Sequence, residues 1–136
     1  MAEYQVGVCP VTEDGKIVLV TSRGSGYWIF PKGRVEEGRE DFEVAEDEAY
    51  EEAGIVGHVG LEYLSFDMLS SKASQLHLYP MQVRKVLKHW PEDDERKRKV
   101  VSYPKAKDLL SEDLRTALKA MWKEWLKHDS SEWLEE

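Results

Sequence analysis

Glu48, Glu51 and Glu52 crowd one stretch of the chain, Glu48-Ala-Tyr-Glu51-Glu52-Ala-Gly54-Ile55. If this stretch is helical, Glu48 and Glu52 are four residues apart and Glu51 is three from Glu48. At about 100° per residue the three carboxylates then fall within an arc of roughly 100°. Like charges that close repel one another. A divalent cation would relieve the repulsion, and hard oxygen donors suit Mg²⁺ or Mn²⁺. Glu48 and Glu52, at i and i+4, point together most directly. Glu51 either ligates or positions a ligand water. The competing reading is a solvated acidic face neutralised by Lys or Arg, which is what an acidic helix face most often means when taken alone.

The helix that must carry these carboxylates is predicted over residues 41–53, with Gly54 as its C-terminal stop. Phe42, Ala45, Ala49 and Ala53 keep helical spacing and form its core stripe. The carboxylates are expected beside that stripe, at the edge of solvent. Before the helix come an apolar strand at residues 4–11, a turn at 13–16, a short β-rich strand at 16–21 and a loop at 23–26. An aromatic strand at 27–30 is stopped by Pro31, and residues 32–39 read as an irregular loop. After the helix come strand-like runs at 58–68 and 76–87, a loop at 90–95 and one more strand at 99–103. A short helix is expected at 104–110, where Pro104 is tolerated in a first turn. A stronger helix is expected at 113–127, with Leu114, Leu118, Met121, Trp122 and Trp125 at core-like spacing. The tail from His128 frays unless Trp133 and Leu134 dock. The pattern is mixed α and β, in one domain spanning residues 1–136.

Composition narrows the classes. The chain has 136 residues, 34% charged and 41% hydrophobic, enough for one domain with a real core. No run approaches the roughly 20 apolar residues of a membrane span, and no signal peptide is evident. The lone Cys9 cannot form an internal disulfide, so the cytoplasm is the default compartment. A net charge of −8 argues against broad binding to nucleic acid or acidic membranes. It leaves room for an anionic substrate, because a bound cation and a few local Lys and Arg outweigh global charge near a site. His58, His77, His89 and His128 show no metal-ligand spacing.

In its full spacing the segment at 33–55 resembles the Nudix box, G-x5-E-x7-R-E-U-x-E-E-x-G-U with U aliphatic. Gly33 takes the first place, Glu48 the Glu after the Arg, Glu51 and Glu52 the Glu pair, and Gly54 and Ile55 the close. Ala49 stands at the aliphatic place. Arg39 stands where the pattern asks for Glu, and Asp47 where it asks for Arg. In the family those two side chains form an ion pair that braces the box, and the two opposite changes of charge imply that the pair is kept here with its signs exchanged.

The resemblance implies a mixed sheet sandwiched between helices, and a Mg²⁺- or Mn²⁺-dependent attack of water on a diphosphate linked to another group. Such chemistry asks for charge neutralisation and positioning. It implies Glu48, Glu51, Glu52 and the Gly33 carbonyl as metal ligands, with Glu51 and Glu52 in the catalytic set. Lys32, in Phe30-Pro31-Lys32-Gly33, looks like the Pro-Lys-Gly of the dinucleoside polyphosphate and diphosphoinositol polyphosphate branches. Arg23 and Arg34 are the further phosphate-binding candidates. Glu95 is placed like the loop carboxylate that serves related hydrolases as base, with Asp94 and Glu92 as rivals. The basic run Arg96-Lys97-Arg98-Lys99 either reaches far phosphates or blunts a solvated strand edge. Trp90 is expected to pack at the base of its loop rather than to stack on an adenine.

The implied substrates are dinucleoside polyphosphates or diphosphoinositol polyphosphates, followed by a nucleoside triphosphate or nucleotide sugar. A non-hydrolysing nucleotide sensor, kept open by Arg39 and Asp47, is the rival from another class. The protein would act as a monomer or homodimer.

Overall fold

Ile17, Val18, Leu19 and Val20 are all buried. Ile17 and Leu19 belong to one core cluster and Val18 and Val20 to another. Successive side chains of a strand point to opposite faces, so a strand that is apolar throughout must be covered on both sides. The computed structural model of the chain, which describes residues 4–69 and 73–134, covers it in that way.

The elements are β1 (Tyr4–Val11), β2 (Ile17–Thr21), β3 (Trp28–Ile29), β4 (Lys32–Arg34), α1 (Asp41–Ala53), β5 (Ile55–Val59) and β6 (Leu64–Asp67). They continue with β7 (Gln75–Val86), β8 (Arg98–Val101), α2 (Tyr103–Leu109) and α3 (Glu112–Met121). The strands form one eight-stranded sheet whose main path is β3-β2-β1-β7-β5, with β4 on β1, β6 on β7 and β8 on β2. β1 and β7 pair in parallel, from Tyr4 opposite Gln75 to Val11 opposite Gln82. Parallel neighbours need a long crossover, and α1 lies within it.

On one face Ala45, Ala49 and Ala53 bring α1 close against Val8, Val18, Val20 and Met81. On the other, Leu110, Leu114, Leu118 and Met121 pack on Cys9, Ile17, Leu19 and Phe30. The expected mixed sheet between helices is therefore present, and its α1 face carries the acidic segment.

Three local expectations need correction, and one alternative left open is decided. Residues 32–39 are not wholly an irregular loop, because Lys32–Arg34 forms β4, with Gly33 opposite Val6 and Lys32 opposite Gly7. The pairing depends on glycine, since a Cβ at Gly7 would lie 2.8 Å from the Lys32 Cβ. Strand propensity does not register such close approach. The single run expected at 58–68 is two strands. β5 starts directly after the Gly54 cap, and β5 and β6 pair with successive halves of the long β7.

The helix expected at 113–127 ends as α-helix at Met121 and continues as a π-helical turn, Trp122–Leu126. The wider turn buries Leu126 and stacks Trp122 on Tyr103 with ring centroids 4.3 Å apart. For the tail, the docked alternative holds at Trp133. The Asp129 carboxylate accepts the Ser131 N–H at 2.9 Å, a 3₁₀ turn spans Ser130–Glu132, and Trp133 packs against the core.

Candidate active site

The acidic helix is closed at both ends by its own sequence. At the start, the Glu40 N–H donates to Glu43 Oε1 at 3.3 Å, and Asp41 and Glu43 lie in the first turn, where negative charge suits the helix dipole. At the end, Gly54 adopts the left-handed conformation with φ 63°, and its N–H reaches the Ala49 and Tyr50 carbonyls. The remaining C-terminal carbonyls are satisfied from the β7–β8 loop and the first residue of β8. Glu92 N–H donates to Glu51 O at 3.1 Å, Trp90 Nε1–H to Glu52 O at 2.9 Å, and Arg98 Nη1 to Ala53 O at 2.8 Å. Trp90 thus packs at the base of its loop as expected, with the Arg98 guanidinium 4.1 Å over its ring.

Glu52 is buried, with 6% of its surface exposed, contrary to the expectation that the carboxylates share the edge of solvent. The cause is tertiary: the β7–β8 loop folds over the last turn of α1 and shuts this side chain in. Its Oε1 accepts the Lys32 backbone N–H at 3.1 Å, and its Oε2 accepts Arg96 Nη2 at 3.1 Å. Burial raises its carboxyl above the ordinary value, and Arg96 and the Lys32 N–H pull it back.

Glu48 is half-buried. A Cβ at Gly33 would overlap its carboxylate, so only glycine at this place lets β4 lie against it. No side-chain hydrogen bond holds Glu48 among the described residues. Burial first, then the charges of Glu52, Glu51 and Glu92, push its carboxyl up to about 7. Glu51 is exposed. Among the described residues, no three acidic, His or Cys side chains already stand as a metal-holding group. The donor set nevertheless fits a divalent cation: hard oxygens, a glycine cradle for Glu48, and carboxylates whose mutual repulsion a dication would cancel.

The outer brace of the helix is formed as the charge exchange implies. Arg39 Nη1 meets Asp47 Oδ2 at 2.7 Å, with Glu36 Oε1 at 3.5 Å from the same nitrogen. The phosphate-binding candidates are spread more widely. Lys32 Nζ donates to Gln5 Oε1 at 3.1 Å. Burial holds its ammonium below the ordinary value, with the Glu52 charge pulling the other way. Lys32 lines a cleft of about 800 Å³ whose walls include Tyr27, Trp28, Ile29 and Leu110. Among the described residues of that lining, Lys32 is the one cation and Asp113 the one anion. Arg34 is exposed at the end of β4. Arg23 is not free beside the cleft: its Nη1 meets Glu95 Oε1 at 3.0 Å, joining two residues to which the sequence assigns different tasks.

Of the three acidic loop candidates, Glu92 is the one whose charge acts on both Glu48 and Glu52. Arg96 Nε holds it at 2.8 Å. Arg96 stands apart from the exposed Lys97 and Lys99 of the basic run. It neither blunts a strand edge nor faces solvent, being only 8% exposed, with Nη1 on the Thr21 carbonyl at 2.9 Å. The alternation of Arg96 and Arg98 with Lys97 and Lys99 carries the missed signal, because side chains two apart in an extended run share a face. That face is the one turned toward α1.

A family model described as "NUDIX domain" matches residues 1–123. Nudix hydrolase 18, mitochondrial, of Arabidopsis thaliana is 30% identical over 101 residues, covering 72% of this chain and 57% of that protein. Human diphosphoinositol polyphosphate phosphohydrolase 3-beta is 31% identical over 78 residues, covering 57% of this chain and 48% of that protein. The chain thus spans about half the length of these relatives. The solved structure of Ap4A hydrolase from C. elegans superposes with a TM-score of 0.70 at 15% identity, covering 90% of this chain and 97% of that one. A likeness at that identity is one of fold.

Proposed function

The chain belongs to the Nudix family, and from that premise we propose that it is a divalent-metal-dependent pyrophosphohydrolase. Its substrate would be phosphate-rich, with a diphosphate linkage as the bond cleaved. One observation carries the reading: Glu48 lies half-buried against Gly33, next to a fixed Glu52, with no side-chain hydrogen bond among the described residues to balance its charge. Mg²⁺ or Mn²⁺ held by Glu48, Glu51, Glu52 and the Gly33 carbonyl would neutralise phosphate charge and acidify water.

The remaining roles fall to the chain's own side chains. Lys32 brings an ammonium to the cleft and takes a substrate phosphate. Arg23 takes a second phosphate in exchange for Glu95, a solvent-exposed ion-pair partner whose loss costs little. Glu95, so released, accepts the proton of the attacking water at its carboxylate. Glu92 is tied to Arg96 and is the less mobile acceptor. Arg34 adds positive charge at the end of β4.

The aromatic and aliphatic walls of the cleft suit a nucleoside better than a densely anionic ring. Dinucleoside polyphosphates therefore stand first. Diphosphoinositol polyphosphates stand second, favoured by the name of the human relative. Nucleoside triphosphates and nucleotide sugars would enter the same cleft. The intact Arg39–Asp47 pair supports a working box over a non-hydrolysing sensor. Among the described residues no helix is long and apolar enough to cross a membrane. The reading places the protein in the cytoplasm, as a monomer or homodimer acting on a small phosphorylated molecule.

The test is product analysis by ³¹P NMR and chromatography on a panel of these substrates with Mg²⁺ or Mn²⁺, against Glu52→Gln. Cleavage lost in the variant is the expected result and names the substrate. Tight metal-dependent binding without cleavage would replace the hydrolase by a sensor.

A further inference from the structure

We infer that Arg96, which lies outside the acidic helix and its glycines, is the positioning residue of the metal site, holding the Glu52 carboxylate in the orientation from which it ligates. The inference rests on the metal reading above and adds a residue to it.

Arg96 is anchored at three points drawn from three parts of the chain. Its Nη1 meets the Thr21 carbonyl at the end of β2, its Nε meets Glu92 in its own loop, and its Nη2 meets Glu52 Oε2 on α1. With 6% of its side chain exposed, the guanidinium has no solvent to exchange these partners for. Glu52 is held equally tightly from the other side, because its Oε1 takes the Lys32 N–H. Each Glu52 oxygen thus spends one acceptor site on the protein and keeps a second for a cation. Arg96 and a divalent ion are therefore compatible partners of one carboxylate, with Arg96 as the outer support.

The bland alternative is that Arg96 only pins the loop. Three other donors already do that, from Glu92 N–H, Trp90 Nε1 and Arg98, and all three go to backbone carbonyls of α1. Arg96 alone of these reaches a carboxylate of the acidic cluster. The helix supplies no guanidinium of its own for the task, since Asp47 stands where the Nudix pattern asks for Arg, and Arg39 is engaged on the outer flank with Asp47 and Glu36. A planar fork with fixed donor directions fits these three acceptors at once, and a Lys ammonium cannot reproduce it.

The experiment measures Mn²⁺ binding by electron paramagnetic resonance without substrate, together with thermal unfolding in chelator, for wild type, Arg96→Met and Arg96→Lys. The expected result is that each folded variant binds Mn²⁺ about 10–100-fold more weakly than wild type, with Arg96→Lys the milder. A residue that merely pinned the loop would lower the unfolding midpoint and leave Mn²⁺ affinity of the folded protein unchanged; that outcome overturns the inference. Should Arg96→Met not fold, Arg96→Lys, which keeps a charge beside Glu52, decides alone. A wild-type protein that binds no Mn²⁺ overturns the metal reading itself. Wild-type binding with unaltered variants overturns Arg96 only.

Discussion

Two guanidinium–carboxylate pairs touch α1, one on its outer flank and one at its inner end. Arg39 and Asp47 meet at 2.7 Å with side chains 36% and 48% exposed. Arg96 and Glu52 meet at 3.1 Å with side chains 6% and 8% exposed. The shorter contact is the weaker one to lose. Water screens the outer pair, and exposed pairs contribute only about 0.2–1 kcal/mol. The inner pair lies where charge is poorly solvated, and stranding one partner there is costly.

The difference also explains why the signs of one pair are exchangeable. Solvent accommodates Arg39 with Asp47 as readily as the reverse arrangement. Around the inner pair the polarity is fixed. The Thr21 carbonyl and Glu92 need a donor where Arg96 stands, and the Lys32 N–H needs an acceptor where Glu52 stands.

Reversing the inner pair, Glu52→Arg with Arg96→Glu, is the largest perturbation. It sets a carboxylate against the Thr21 carbonyl and Glu92, and we expect at least about 3–5 kcal/mol of lost stability by urea unfolding. A reversed double variant as stable as wild type would make the two pairs equivalent. Next is Gly54→Ala, which acts on the same inner end. The left-handed φ disfavours a side chain, and the new Cβ would lie 2.7 Å from the Trp90 Cβ. A loss of about 1–3 kcal/mol is expected, whereas a gain would mean that the loop yields freely.

A smaller effect is pH-dependent. Folded Glu48 titrates at about 7, against an ordinary value of 4.5. Between those values the folded chain keeps a proton that the unfolded chain has lost. In chelator, stability therefore falls as pH rises through this window: the Glu48 contribution is fully present below about 4.5 and lost above about 7. Glu48→Gln flattens the fall, read as urea midpoints at about pH 5 and about pH 8. An unaltered slope would assign the pH dependence to other groups.

The smallest effect is the outer exchange. Arg39→Glu and Asp47→Arg singly cost about 0.2–1 kcal/mol, and together they return most of it. Simple additivity would show that the two side chains do not act on each other.

Much of the fold is legible where the signal is local. Residues 17–20 declare two covered faces by being apolar throughout, and the alanines at 45, 49 and 53 declare the side of α1 that packs. The misreadings arise where another part of the chain decides. Lys32–Arg34 becomes a strand because Gly7 lets it close on β1, and one long β7 splits the run at 58–68 between two partners. The backbone widens to a π-turn after Met121, where Trp122 finds Tyr103. At the site, the spacing of Glu48, Glu51 and Glu52 and the Gly54 stop could be read from residues close in sequence, and the exchanged Arg39 and Asp47 from the resemblance to the Nudix box.

The sequence alone determined the acidic helix and its cap, because helical periodicity and capping operate over about four residues, and the outer brace followed from the resemblance to the Nudix box. Only the tertiary structure decided that Glu52 is buried, that Arg96 holds it and that Arg23 engages Glu95. Burial and ion pairing at those places join residues 44 and 72 positions apart, and the dielectric that sets their strength exists only once the chain has packed.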